Sequence, residues 1–220
     1  ITLWFLDAMP FIFAFWGQYS SSIMAYEASS MIVDQTADLR NLTVALEHKI
    51  SHEATHDSVT DLPNRILVLD RLDQAIQSAS RQKETLALLI MEIDDFKEIN
   101  DTMGHFNGDR LLKQIVSRLK GLLRKSDTLA RMGGDEFAML LNTRTEPKHV
   151  RRIVEKIQKL FLEPFSLDGL SIEVQVSIGI TFYPLHGKDV DTIIQRTSVA
   201  LEAAKQAPKK FAIYSDELDK

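Results

Sequence analysis

Glu92 and Asp94 stand two residues apart at the end of the apolar run Leu86 to Ile93, and Asp135 follows the pair Gly133-Gly134. Side chains on a strand alternate between its faces, so the first two carboxylates share a face. A tight turn at the glycines would carry Asp135 to a hairpin tip, because glycine tolerates the positive φ such turns need. If strand and hairpin are neighbours, the carboxylates meet. An oxygen-only donor set of this kind suits magnesium or manganese. The chemistry within reach is phosphoryl transfer from a nucleoside triphosphate, which needs metal-bound carboxylates, donors for the phosphates and an activated hydroxyl. Acidic residues at strand ends are more often simply solvated, so spacing alone leaves both readings open.

The elements that would position these groups follow from hydrophobic period. Pro63 opens a helix in which Ile66, Leu69 and Ile76 share a face, and Leu86 to Ile93 reads as a buried strand. A second helix carries Leu111, Leu112, Ile115, Val116, Leu119 and Leu122. Two short strands, Thr128 to Arg131 and Glu136 to Leu141, flank the glycine pair, and Val150, Ile153, Val154, Ile157 and Leu160 form a third helix. A strand pair around Asp168-Gly169 ends in Val174 to Phe182, followed by a helix near Asp191 to Gln206 and a last strand, Phe211 to Tyr214. The core order is strand, helix, strand, strand, helix, strand. This predicts an α+β domain, a ferredoxin-like βαββαβ core with a mostly antiparallel sheet flanked by helices.

Composition narrows the classes. With 45% hydrophobic and 26% charged residues the chain can bury a core, and its formal net charge of -5 gives no general reason to bind nucleic acid. Any phosphate site must be local. The chain has no cysteine, which excludes disulfides and thiolate metal sites and fits a reducing compartment. His48, His52, His149 and His186 read as ordinary surface or loop histidines.

Ahead of the predicted domain, Ala8 to Tyr26 carries no charge and has about the length that crosses a bilayer. Against this stand Pro10, Gln18, the Ser20-Ser21-Ser22 run and the lack of Lys or Arg before Arg40. From Ala25 to Glu53 one heptad register puts Ala25, Ala28, Ile32, Leu39, Leu42 and Leu46 at a and d, interrupted by Gln35 and Lys49. This predicts a short parallel coiled coil, with an amphipathic helix packed on its own domain as the alternative. The expected organisation is an apolar segment over 1–26 that could end a transmembrane helix, a coiled-coil helix over 27–54 and a globular domain over 55–220. A chain that opens on Ile1 and is at once apolar reads as a piece of a longer protein.

The exact strings add a resemblance. Arg131-Met132-Gly133-Gly134-Asp135-Glu136-Phe137 contains the GGDEF signature after an arginine. His56 to Arg65 resembles the opening HDxLTGLPNR block of the GGDEF family, Glu92 to Asp101 resembles its DxDxFKxxND, and Gly104-His105 with Gly108-Asp109 completes the following GHxxGD. The resemblance implies a nucleotidyl cyclase-like fold and a diguanylate cyclase that condenses two GTP into cyclic di-GMP with release of pyrophosphate. By position, Asp135 would bind metal and help activate the ribose 3'-hydroxyl, beside Glu136 as a second catalytic acid. Glu92 and the Ile93 carbonyl would complete the Mg²⁺ (or Mn²⁺) site. Asn100 and Asp109 would read the guanine edge. The amides of Asp95 and Phe96, with Lys97, Lys205 and Lys209, would hold the phosphates. Arg124 and Asp127 fit the family's RxxD product-inhibition site.

The resemblance further implies a homodimer whose half-sites face each other, an EAL-type phosphodiesterase domain in a longer chain, and a place at the cytoplasmic face of the bacterial inner membrane. Departures from the pattern support the alternative of a degenerate domain that binds GTP or cyclic di-GMP and regulates its neighbour. Glu92 stands where aspartate is usual, Asp61 where glycine is, Glu202 where an aromatic is common, Pro208 where glycine is and Lys210 where asparagine is. Proline cannot adopt a positive φ, so the loop carrying Lys209 is expected to differ in shape.

Overall fold

A computed structural model describes residues 3–141 and 147–219, without the side chains of 3–8, 12, 25, 27–30 and 32–37. The chain divides into two compact units, Ile1–His52 and Glu53–Lys220. Helix α1 spans Leu3–Thr55, taking up the described residues of the first unit and the start of the second. Leu39, Leu42 and Leu46 of the predicted seam are exposed, as are Val44 and Ile50. Ala25, Ala28, Ile32 and Gln35 lie outside the described side chains. The segment expected to end a transmembrane helix is helical from Leu3, but among the described residues no helix is long and apolar enough to cross a membrane. Gln18 and the three serines dilute its apolar length.

The next helix of the second unit is α2 (Arg65–Gln82), capped by Asn64, whose side chain accepts from the Leu67 amide. Then come β1 (Leu86–Ile93), α3 (Phe96–Met103), α4 (His105–Lys120), β2 (Thr128–Gly133) and β3 (Glu136–Leu141). They are followed by α5 (Pro147–Phe161), β4 (Phe165–Leu167), β5 (Leu170–Ile172), β6 (Val176–Tyr183), α6 (Val190–Gln206) and β7 (Phe211–Ile213). The main sheet has the order β2-β3-β1-β6-β7, antiparallel except where β7 runs parallel to β6. β4 and β5 form a separate hairpin. The predicted βαββαβ order is present, with β1 at the centre.

β1 is a continuous apolar run because helices cover both of its faces. Ala87, Leu89 and Met91 pack in one core with residues of α4 and α5, while Leu88 and Ile90 pack in a second with residues of α2 and α6. Gly179 decides how close α6 comes: a Cβ there would fall 2.4 Å from both the Leu201 amide nitrogen and the Thr197 carbonyl oxygen. The helix therefore rests directly on β6, and its last turn comes down beside the end of β1.

Two expectations are corrected. The face of α2 that enters the core is Val68, Leu72, Ile76 and Ala79, whereas Ile66 is 67% exposed. Arg65 rather than Pro63 begins that helix. The short helix α3, which brings Asn100 under α4, adds to the predicted order, with Phe96, Ile99 and Met103 toward the core at spacings of three and four.

Candidate active site

The GGDEF turn is held by the opening block of the domain. Gly133 and Gly134 have φ of 137° and 53°, which favour glycine. Arg131, only 9% exposed, sends Nε and Nη2 to the Gly134 carbonyl at 3.0 and 2.6 Å. Its Nη1 reaches both carboxylate oxygens of Asp57 at 2.9 and 3.0 Å, and its amide donates to the Pro63 carbonyl at 2.9 Å. Asp57 also accepts from the amide and hydroxyl of Thr60. Burial works against its charge, but the bonds from Thr60 and Arg131 outweigh that and hold its carboxyl below the usual range. Asp61, in the position of the expected glycine, takes the same left-handed conformation with φ of 56°.

This clamp sets the turn beside β1. The Ile93 amide donates to the Asp135 carbonyl at 3.2 Å, and Glu92 lies in register with Glu136 on β3 and with Ser177 on β6. Directly opposed residues of antiparallel strands point to one face. Glu92, Asp135 and Glu136 are thus gathered at one end of the sheet, and α6 supplies a cation there: Lys205 Nζ lies 2.9 Å from Glu92 and 2.8 Å from Glu202. Burial, then the charges of Glu92 and Asp135, raise the Glu136 carboxyl above its usual value, with Arg65 and Lys205 opposing. Lys205 is moved upward as well, since its bonds to Glu202 and Glu92 outweigh its burial.

The oxygen donors have the chemistry of a hard-cation site, and the raised Glu136 records a crowding of negative charge that a cation would relieve. As folded here, Glu92 is paired with Lys205 instead. Among the described residues no three acidic or histidine side chains are grouped to hold a metal ion.

Gly104, φ 82°, turns the chain between α3, which carries Asn100, and α4, which carries Asp109. Gly108 makes room for Asn100, whose Oδ1 occupies the place 1.9 Å from where a Cβ would be. Asp95 enters α3 in the left-handed region with φ of 57° and forms no side-chain cap, so the Phe96 and Lys97 amides stand at an uncapped helix N-terminus suited to an anion. The Phe96 side chain is buried, and only its backbone could serve a ligand. Arg124 and Asp127 form a closed turn in which each residue's amide donates to the other at 3.0 Å, Asp127 accepting through Oδ2.

Lys209 is not brought to the Glu92 cluster. With Lys210 it lines a groove beside α5, and Gln158 donates to its carbonyl. The positive φ of that loop falls on Lys210, at 52°, rather than on Pro208. Lys210 Nζ is 3.0 Å from Asp94. The motif positions did not point to Lys210, Ser177 or the Arg131 to Asp57 clamp. For the clamp, the signal was an aspartate and an arginine inside two motif blocks; their pairing spans distant parts of the chain.

The family model described as diguanylate cyclase, GGDEF domain, matches residues 54–210. Diguanylate cyclase TpbB of Pseudomonas aeruginosa is 40% identical over 158 residues, covering 71% of this chain and 36% of that protein. The bifunctional diguanylate cyclase/cyclic di-GMP phosphodiesterase MucR of the same organism is 36% identical over 176 residues, 80% of this chain and 26% of that one. The chain therefore spans about a quarter to a third of the length of these curated relatives. Among solved structures, the GGDEF domain of TpbB superposes with a TM-score of 0.71 at 37% identity, covering 74% of this chain and 96% of that one. The coiled coil and GGDEF domain of DgcB from Caulobacter crescentus, in complex with c-di-GMP, gives a TM-score of 0.74 at 27% identity, over 84% and 98%. With its nucleotidyl cyclase-like sheet and its complete signature turn, this chain belongs to the GGDEF domain family of diguanylate cyclases.

Proposed function

We propose that the chain is the catalytic part of a diguanylate cyclase that works as a dimer. Each half-site holds one GTP, and each ribose 3'-hydroxyl attacks the α-phosphate of the GTP opposite. Two phosphodiester bonds form, and two pyrophosphates leave. The observation that carries this reading is the convergence of Glu92, Asp135 and Glu136 with Lys205 at one end of the sheet.

Asn100 and Asp109 read guanine, and the first amides of α3 with Lys97 and Lys205 hold the phosphates. Asp135, Glu92 and the Ile93 carbonyl would hold Mg²⁺ or Mn²⁺, which supplies charge stabilisation at the phosphate and acidifies the attacking hydroxyl. Asp135 helps activate the attacking hydroxyl, with Glu136 beside it as the second active-site acid. Arg124 and Asp127 form the product-inhibition site. The exposed leucines of α1 pair two copies and carry the input of a longer, membrane-associated protein whose GGDEF domain lies in the cytoplasm.

A second reading draws on one observation: Glu92 is engaged with Lys205, so metal ligand and phosphate ligand neutralise each other. A domain held in that state would bind GTP or cyclic di-GMP and regulate a neighbour such as an EAL-type phosphodiesterase. The test is incubation of the purified chain, stripped of nucleotide, with GTP and Mg²⁺ or Mn²⁺ beside an Asp135→Ala control, with chromatography of cyclic di-GMP. Product from the parent alone supports the cyclase. No product together with tight nucleotide binding supports the regulator.

A further inference from the structure

Asp94 shares the face of Glu92 but is spent on other partners. Its Oδ1 accepts from the Ser177 hydroxyl at 2.9 Å, and Ser177 is fully buried on β6. Its Oδ2 is buried without a well-formed hydrogen bond and has the Lys210 ammonium 3.0 Å away as its ion partner. The same ammonium lies 3.3 Å from the Lys205 carbonyl in the last turn of α6. The Asp94 amide donates to the Gln175 carbonyl at 2.9 Å, just before β6. Lys210 itself is held in the left-handed region, its amide bonded to the Ala207 carbonyl and its carbonyl accepting from Ile178.

One carboxylate therefore joins three segments: the exit of β1 that leads into the α3 amides, the entry of β6, and the α6 to β7 connection that follows Lys205. We infer that Asp94 and Lys210 are a positioning pair, fixing the distance between the carboxylates of β1 and the phosphate-binding lysine of α6 and thereby setting affinity for the nucleoside triphosphate. This rests on the nucleotide site proposed above. Removing either partner leaves the other charge half-buried and uncompensated, and the last turn of α6 loses one tie to the end of β1, keeping the Lys205 to Glu92 pair. Removing both adds little, because the tie is already gone.

The test is a double-mutant cycle with Asp94→Asn, Lys210→Met and the double variant. Asparagine keeps an acceptor for Ser177, and methionine keeps the length and the backbone demand of lysine. The readouts are calorimetric dissociation constants for a non-hydrolysable GTP analogue with Mg²⁺, the unfolding midpoint, and KM against kcat where turnover occurs. Each single change is expected to weaken the analogue about tenfold, with the double variant no weaker than about the worse single one, and KM rising more than kcat falls. Additive losses overturn the pairing. So does an unchanged dissociation constant with a lowered midpoint, which would make the pair a support of the fold alone. A parent that binds the analogue but makes no cyclic di-GMP defeats the cyclase reading and leaves this cycle decisive; a parent that does not bind it overturns the inference.

Discussion

Glu92 and Glu136 face each other across adjacent antiparallel strands, and folding shifts the Glu136 carboxyl upward through burial and the charge of Glu92. A carboxyl so raised binds its proton more tightly in the folded chain than in the unfolded one. Its contribution to stability is present in acid, below the ordinary glutamate value, and is lost as pH rises through the folded value. Glu136→Gln should therefore stabilise the domain at pH 7 while impairing synthesis. The group is half-buried and screened, so the gain is at most about 1 kcal/mol, or about 2–4 °C in melting temperature. Thermal melts should show the gain vanishing near pH 4.

The Asp57 to Arg131 pair has the opposite sign. Asp57 is depressed, so its contribution is present above the ordinary aspartate value and lost as pH falls through the folded one. Asp57→Asn leaves Arg131 buried without its counter-charge and should cost about 3 kcal/mol in urea denaturation at pH 7. The cost should shrink in strong acid, where the parent loses the same charge.

Lys205 is expected to serve the transition state once nucleotide displaces it from Glu92. Lys205→Met should lower the rate of cyclic di-GMP formation about a hundredfold. Glu92→Asp draws the carboxylate back from that lysine and should lower the Mg²⁺ concentration for half-maximal rate, about threefold or more, in a metal titration.

Gly108→Ala would put a methyl where Asn100 Oδ1 now lies. Because the obstructed atom is the end of a flexible side chain, the fold should survive while the guanine reader is displaced. The expected outcome is about a tenfold rise in KM for GTP and a smaller preference for GTP over ATP in competition assays.

Leu39 and Leu42 are exposed on α1, an apolar surface that a second copy would cover. Replacing both with aspartate should shift dimer to monomer in analytical ultracentrifugation and lower the rate in proportion, since a half-site alone cannot complete the product. Unchanged association and rate would remove α1 from the mechanism.

Much of this was legible in the chain because it is local. Strand period placed Glu92 and Asp94 on one face, the glycine pair marked the turn that presents Asp135, and ordered motif blocks identified the family. A period is read over a dozen residues and needs no knowledge of what lies across the fold. On α2, Ile66 and Ile76 both fit an apolar face, but a helix with apolar residues on two sides does not say which side is covered, and only Ile76 enters the core. What tertiary structure alone decided were the long-range meetings: Arg131 with Asp57, Lys205 with Glu92, Asp94 with Ser177 and Lys210. Those depend on how closely α6 rests on Gly179 and on which strands are neighbours, and a charge keeps no record in sequence of the partner that packing brings to it.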